Sequence, residues 1–363
     1  MDVRKKYQSL IERSPVNHAL DLRFVYRVIG EVAKKNFPEL AAITRIRHAV
    51  HKRRVGERRS TFIYSCFIDG TDTAGKKINK HLIYSAHTDG SRLIAYTNMS
   101  LLCEHGFNTT PFKMITPLAY LPEIQALIYE AVDGKTLLQY VQSGIPSSNL
   151  RHLTHLAALW IRKFHAFTPP PEVLERFPAF DMLEVNPRIE RVLAKARSAD
   201  ALQAEKLQAF ISTFQTVEAS LAAEITPGLV YGDYHPENII TEDLRAKDLT
   251  VIDFTDVTRG DQLRDIGSFI QQLHFMGREC YPVAEVDEQR RYFVTEYFGK
   301  HLDALTTAEF RRVNLYQAWN SLRGFTWFFF NPMMRQQSYG LLEDAWLYLS
   351  LARDSERTIH INL

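Results

Sequence analysis

Three oxygen-bearing side chains set the chemical question. In "LVYGDYHPENII" (229–240) Asp233 is followed five residues later by Asn238, and in "VIDFTD" (251–256) Asp253 ends an apolar run. Carboxylate and amide oxygens are hard donors. They suit Mg²⁺, an ion that keeps several waters and shares its shell with substrate phosphates. A separate aspartate can take the proton of an attacking hydroxyl. A base, two metal-binding groups and a nucleotide cleft are the parts that phosphoryl transfer needs. Taken singly, Asp, His, Pro and Asn at a strand end are ordinary turn residues. The joint spacing, GDxxxxN and then hIDF, is what distinguishes a site from a turn.

Such a site needs strands that end in it and helices that hold it. Residues 20–36 predict a helix, with Leu20, Leu22, Val25, Val28, Ile29 and Val32 at helical spacing. Residues 42–51 and 60–68 read as strands joined by the basic turn "KRRVGERR" (52–59). "DGTDTAGKK" (69–77) reads as loop, 81–86 as a third strand, 92–106 as a helix stopped by Gly106, and 126–132 as a short strand. From about residue 147 the text turns helical, at 148–167, 200–224, 261–277, 286–302, 307–328 and 340–352. The apolar runs 228–232 and 249–254 interrupt it. Sheet first and helices after predict an α+β class rather than alternating α/β.

The bulk numbers exclude several classes. The chain has 363 residues, enough for two lobes, with 45% hydrophobic and 24% charged residues and a formal charge of +2. That charge gives no field to recruit nucleic acid or an anionic membrane, so neither is expected as a partner. No apolar run approaches twenty residues. Cys66, Cys103 and Cys280 are far apart and odd in number, which reads as reduced thiols in a cytoplasmic protein. There is no GxxxxGK[ST] loop, no GxGxxG after a strand, and no HExxH or paired CxxC. The ring-rich stretch 316–332 reads chiefly as helix packing, with at most one or two rings free to face a cationic substrate.

"YGDYHPENII" and "VIDFTDVTRGDQLRDIGSF" resemble the HGDxHxxNhh and hIDFxxxxxGDxxxDhA signatures of the aminoglycoside phosphotransferase and choline kinase family. "ALIYEAVDGKTL" (126–137) is similar to its interlobe segment, and "LAALWIRKFHAF" (156–167) to its "LAxLHxL" helix. The resemblance implies a bilobal protein-kinase-like fold, with a small β-rich N-terminal lobe (1–128) and a larger helical C-terminal lobe (129–363). It implies ATP and Mg²⁺ as cofactors and a small-molecule hydroxyl as substrate. In this reading Asp233 is the catalytic base, and Asn238 and Asp253 hold the metal. Backbone atoms of Ile128, Tyr129, Glu130 and Ala131 meet the adenine edge. Asp265 braces the catalytic loop and His235 orients it, or else His235 is a satisfied buried histidine. Tyr231 stands where the family usually has histidine.

The resemblance breaks in the N-terminal lobe. The family's third strand carries a lysine for the α- and β-phosphates, and the next helix a glutamate that orients it. Here the lysine position falls on Ser85 and the glutamate position near Tyr96 or Asn98. Loss of both together is self-consistent, since an unpaired buried glutamate is costly. Two readings remain open. In one, the phosphate-binding cation comes from the basic turn, with Arg54 and Arg58 as candidates, or from Lys80. In the other, the protein is a degenerate kinase that binds or regulates.

Overall fold

The computed structural model describes residues 21–56, 59–180, 188–199, 201–331 and 333–354. Two compact units emerge. One comprises Met1–Asp133 with Thr250–Thr255, the other Gly134–Leu249 with Asp256–Leu363. The sequence reading drew the boundary after residue 128. The first unit runs on to Asp133 because the strand through residue 128 stays bonded to its neighbours as far as Glu130, and the Ala131 amide donates to the His81 carbonyl.

The first unit opens with helix α1 (Leu22–Asn36), capped by the Asp21 carboxylate, which accepts from the Arg23 amide. Its buried stripe is Val25, Val28, Ile29 and Val32. The stripe packs on a five-stranded antiparallel sheet of order β1-β2-β3-β6-β5. These strands are β1 (Ala42–Arg54), β2 (Thr61–Thr71), β3 (Lys77–His87), β5 (Pro117–Leu121) and β6 (Ala126–Glu130). Strand alternation sends Tyr64, Cys66 and Ile68 of β2 and Leu82, Tyr84 and Ala86 of β3 toward α1. Ser65, Phe67, His81 and Ser85 fall on the other face. The loop expected over 69–77 shrinks, because the β2–β3 ladder continues to Thr71↔Lys77 and the Asp72 carboxylate closes the turn by accepting from the Ala74 and Lys76 amides. Helix α2 (Ser91–Glu104) follows β3, and β4 (Lys113–Met114) pairs in parallel with the short strand Thr250–Val251.

The second unit is mainly helical. Strand β7 (Lys135–Thr136) pairs with β9 (Ile239–Thr241), and β8 (Gly228–Val230) with β10 (Thr258–Gly260), both antiparallel. Its helices include α3 (Leu137–Gln142), α4 (Ser147–Ala166), α5 (Ala201–Leu221), α6 (Leu263–Gly277), α7 (Val283–Phe298), α8 (Thr307–Phe328) and α9 (Arg335–Arg353), with the helices Pro171–Leu174 and Arg188–Ala199 between α4 and α5. Helix α8 starts on a capping box, Thr306 with Glu309. Helices α6 and α8 approach backbone to backbone at Gly267, where a Cβ would come within 2.7 Å of the Val313 carbonyl oxygen. Two residues before Gly267, in the N-terminal turn of α6, Asp265 reaches the β8–β9 loop. In the ring-rich stretch Tyr316, Trp319, Phe325 and Phe329 are buried, whereas Trp327 and Phe330 are exposed.

Candidate active site

In the second unit the loop between β8 and β9 is held from below by one buried carboxylate. Asp265 is fully buried; its Oδ2 accepts from the Tyr231 amide at 2.7 Å and its Oδ1 from the Gly232 amide at 2.8 Å. His165 of α4 adds a contact from Nε2 to Oδ2 at 2.9 Å. Gly232 has φ +89°, and a Cβ there would lie 2.1 Å from the Asp256 carbonyl oxygen, so this turn takes glycine alone. Tyr231, in place of the usual histidine, is buried against the rings of Trp160, Phe164 and Tyr234. The loop is thus fixed from below by an anion and packed by aromatic rings, and Asp233 emerges from it.

Asp233 sits in a charged and hydrogen-bonded frame. Arg323 of α8 donates from Nη2 to Asp233 Oδ1 at 3.1 Å, from Nη1 to the Gly232 carbonyl at 3.2 Å, and from Nη2 to Asp256 Oδ2 at 3.4 Å. His235 Nε2 lies 3.3 Å from Asp233 Oδ2. Burial works against the charged carboxylate, but the neighbouring His235 and Arg323 win and hold it well below the usual aspartate range. Burial likewise opposes charge on His235, and the Asp233 carboxylate lifts that ring above its ordinary value. Asn238, 7% exposed, donates from Nδ2 to the Asp233 carbonyl at 3.0 Å and to Asp233 Oδ2 at 3.4 Å. The amide is therefore oriented with its nitrogen toward Asp233 and its Oδ1 turned away from it.

In the first unit Asp253 is held in a different way. Its φ is +61°, a left-handed conformation that aspartate tolerates at a cost. Helix α2 clamps the segment. Arg92 donates from Nη2 to Asp253 Oδ1 at 3.3 Å and to Thr255 Oγ1 at 3.1 Å, and Asn98 donates to the Phe254 carbonyl at 2.8 Å. Thr255 Oγ1 donates to Asp253 Oδ1 at 2.6 Å. Asn98, at the expected glutamate position, thus holds the backbone behind Asp253, while Tyr96 packs beside Tyr120. Ser85, at the expected lysine position, is 1% exposed, and its hydroxyl lacks a hydrogen-bond partner. His87, near Arg59 and Arg92, is pushed down to about 3, first by burial and then by those cations.

The nucleotide candidates divide. Glu130 and Ala131 line a cavity of about 420 Å³ together with Arg47, Phe67, Lys80, His81 and Asp133. The Phe67 and His81 rings stack at 4.4 Å. The Ile128 side chain is fully buried on the α1 side of the sheet. Tyr129 faces the other way, and burial pushes its hydroxyl up to about 12, with Arg92 and Asp253 near enough to act on it. Arg54 is exposed at the end of β1, and Arg58 lies outside the described residues. Lys80 is removed from the phosphate candidates. Alternation turns it toward α1, where its Nζ pairs with Glu39 at 2.8 Å and lies 4.1 Å from the Phe37 ring centroid.

Sequence reasoning missed Arg323, Arg92 and His165. Two left a trace. Arg323 is a cation inside an otherwise ring-rich helix. Arg92 stands in the first turn of α2, where the helix dipole disfavours a cation unless an anion waits for it.

Residues 88–311 match the profile of a phosphotransferase enzyme family. No curated protein matches the chain. Among solved structures, Plasmodium vivax ethanolamine kinase superposes with a TM-score of 0.59 at 12% identity, over 98% of this chain and 96% of that one. The streptomycin–ATP ternary complex of aminoglycoside phosphotransferase APH(2")-IIa gives 0.53 at 15% identity, over 88% and 97%. ADP-bound APH(2'')-Ib gives 0.53 at 16%, over 88% and 98%. At these identities the likeness establishes the fold, which is α+β and kinase-like, with a sheet-rich N-terminal region and a helical C-terminal region.

Proposed function

Because the chain belongs to this phosphotransferase enzyme family, we propose that it transfers the γ-phosphoryl group of ATP to a hydroxyl of a small molecule, with Mg²⁺ as cofactor. The observation that carries the reading is the Asp233–Asn238 pair on a loop braced by Asp265. Asn238 and Asp253 would hold the metal. Their donors are hard oxygens, the Asn238 amide is already turned the right way, and the strained backbone of Asp253 is the kind kept at functional positions. When bound, the ion neutralises charge on the transferring phosphoryl group. The stacked Phe67–His81 pair and the Glu130–Ala131 backbone edge fit a planar base.

Asp233 acts on the acceptor. A carboxylate held this low is a weak base, but phosphoryl transfer passes through a loose transition state that asks for positioning more than basicity. Arg323 and Asn238 fix both Asp233 oxygens in direction, so the hydroxyl proton meets an oriented acceptor.

The test is ADP release across a panel of hydroxyl compounds, aminoglycosides, amino alcohols and sugars included, for wild type and Asp233→Ala. The expected loss is about 10²-fold or more, the usual share of a general base, with an unchanged circular dichroism spectrum. Equal ATP consumption by the two proteins would sink the proposal. Ser85 and Asn98, in place of an ion pair, favour a second reading, a binding module without turnover. Thermal shift separates the two. Stabilisation by ATP with Mg²⁺ that is lost in Asp253→Ala supports the transferase, and no shift at millimolar nucleotide supports the module.

A further inference from the structure

The family's phosphate-binding lysine is gone from β3, and the structure assigns its replacement to Arg92 on α2, which we propose to be the cation that faces the nucleotide's phosphates. The inference rests on the ATP-dependent reading above and adds to it a residue outside the family's pattern. Four observations within the first unit support it.

Arg92 is 6% exposed, too buried to be a solvated surface charge. Its guanidinium bonds Asp253 Oδ1 and Thr255 Oγ1 through Nη2 alone. Its Nε is buried and, among the described residues, has no partner. A guanidinium has five donors in a fixed fork, and a fork buried with donors unspent matches the oxygens of a phosphate. Second, the vacated position is silent: Ser85 carries no charge, and its buried hydroxyl is unbonded. Third, the other cations near the sheet among the described residues are paired or face water, Arg47 included, which lines the cavity beside Phe67 but pairs with Asp69 at 3.3 Å. Lys80 pairs with Glu39 on the α1 side, and Arg54 is exposed. Arg59 pairs with Asp89 at 3.4 Å and donates to His87. Fourth, Tyr129, one of the expected nucleotide residues, lies close enough to Arg92 and Asp253 to feel both charges.

The arrangement also explains why lysine and glutamate are missing together. A lysine on β3 needs a glutamate on the next helix to aim it. An arginine on that helix is aimed by the metal-binding aspartate itself, so the glutamate position is free to become Asn98 and to bond the backbone behind Asp253.

The test is calorimetric titration of the full chain with ATP plus Mg²⁺ and, separately, with adenosine, for wild type, Arg92→Ala, Arg92→Met and Arg92→Lys. Arg92→Ala is expected to weaken ATP about tenfold or more, the loss of one charge-assisted contact, while adenosine affinity stays within about twofold. Arg92→Lys keeps the charge and should recover most of the loss. Arg92→Met, which keeps the apolar stem, gives the same comparison if the alanine variant does not fold. ATP binding that is unchanged or tighter in Arg92→Ala and Arg92→Met overturns the assignment and makes Arg92 a structural partner of Asp253. Equal losses of ATP and adenosine also overturn it, because they mark damage to the unit rather than to phosphate binding. A wild-type protein that binds no nucleotide overturns the ATP reading itself, and the assignment with it.

Discussion

The two functional loops are held by opposite means. The Asp233 loop rests on a buried anion: Asp265 on α6 accepts from two consecutive backbone amides. The Asp253 segment hangs from donors on α2: Asn98 grips a carbonyl and Arg92 a carboxylate. Their strained positions also differ. In the first loop the positive φ falls on Gly232, a residue that carries it at no steric cost. In the second it falls on Asp253 itself, so the residue proposed to hold the metal bears the strain. A backbone-to-carboxylate brace can stay the same whatever the loop does chemically. A brace made of side chains can be exchanged, and the replacement of a lysine–glutamate pair by arginine and asparagine proposed above would be such an exchange.

The comparison breaks most easily at Asp265. Asp265→Ala leaves two buried amides and His165 without their acceptor, and a loss of about 3–5 kcal/mol in denaturant unfolding is expected. A loss below about 1 kcal/mol would mean that the loop is not held from below. Asn98→Ala, the corresponding change in the other unit, removes one buried bond and should cost about 1–2 kcal/mol by the same measurement.

In each unit a buried histidine is held well below its ordinary value, His87 in the first and His274 in the second. Burial and then Arg290, with Arg278 nearby, hold His274 down to about 4, although Asp287 faces it at 3.7 Å. Because the folded value lies below the ordinary 6.5, the unfolded chain takes the proton first. Stability is therefore full above about pH 6.5 and falls as pH drops toward 4, by at most about 1.4 kcal/mol per pH unit. His274→Gln should remove that slope from a pH series of unfolding midpoints; an unchanged slope would mean that the ring is already charged in the fold.

The smallest expected effect is the most pointed. Ser85→Ala deletes a buried hydroxyl with no partner, so stability should be unchanged or rise by up to about 1 kcal/mol in thermal or denaturant unfolding. A clear loss would reveal a bond to Ser85 and remove one support for Arg92 as the substitute cation.

Much of this was legible beforehand because it is written in local spacing. The 3.6-residue stripe of α1, the capping box of α8 and the apolar runs before Asp233 and Asp253 are properties of neighbouring residues. The link between the two motifs and a kinase-like fold came from their resemblance to a family's signatures, not from spacing alone. The side of the sheet that Lys80 faces was not read from the sequence, although strand parity contains it, because the strand was read as starting at residue 81 and begins at Lys77.

The sequence by itself determined the family, the succession of a sheet-rich part and a helical part, and the loops that carry Asp233, Asn238 and Asp253. Tertiary structure alone decided which cations stand beside them. Arg323 and Asp233 are ninety residues apart in the chain, and Arg92 and Asp253 are 161 apart. An ion pair depends on distance in space, as the inverse of a few ångströms, and not on separation along the chain. No local pattern encodes that distance until α8 packs behind one loop and α2 behind the other.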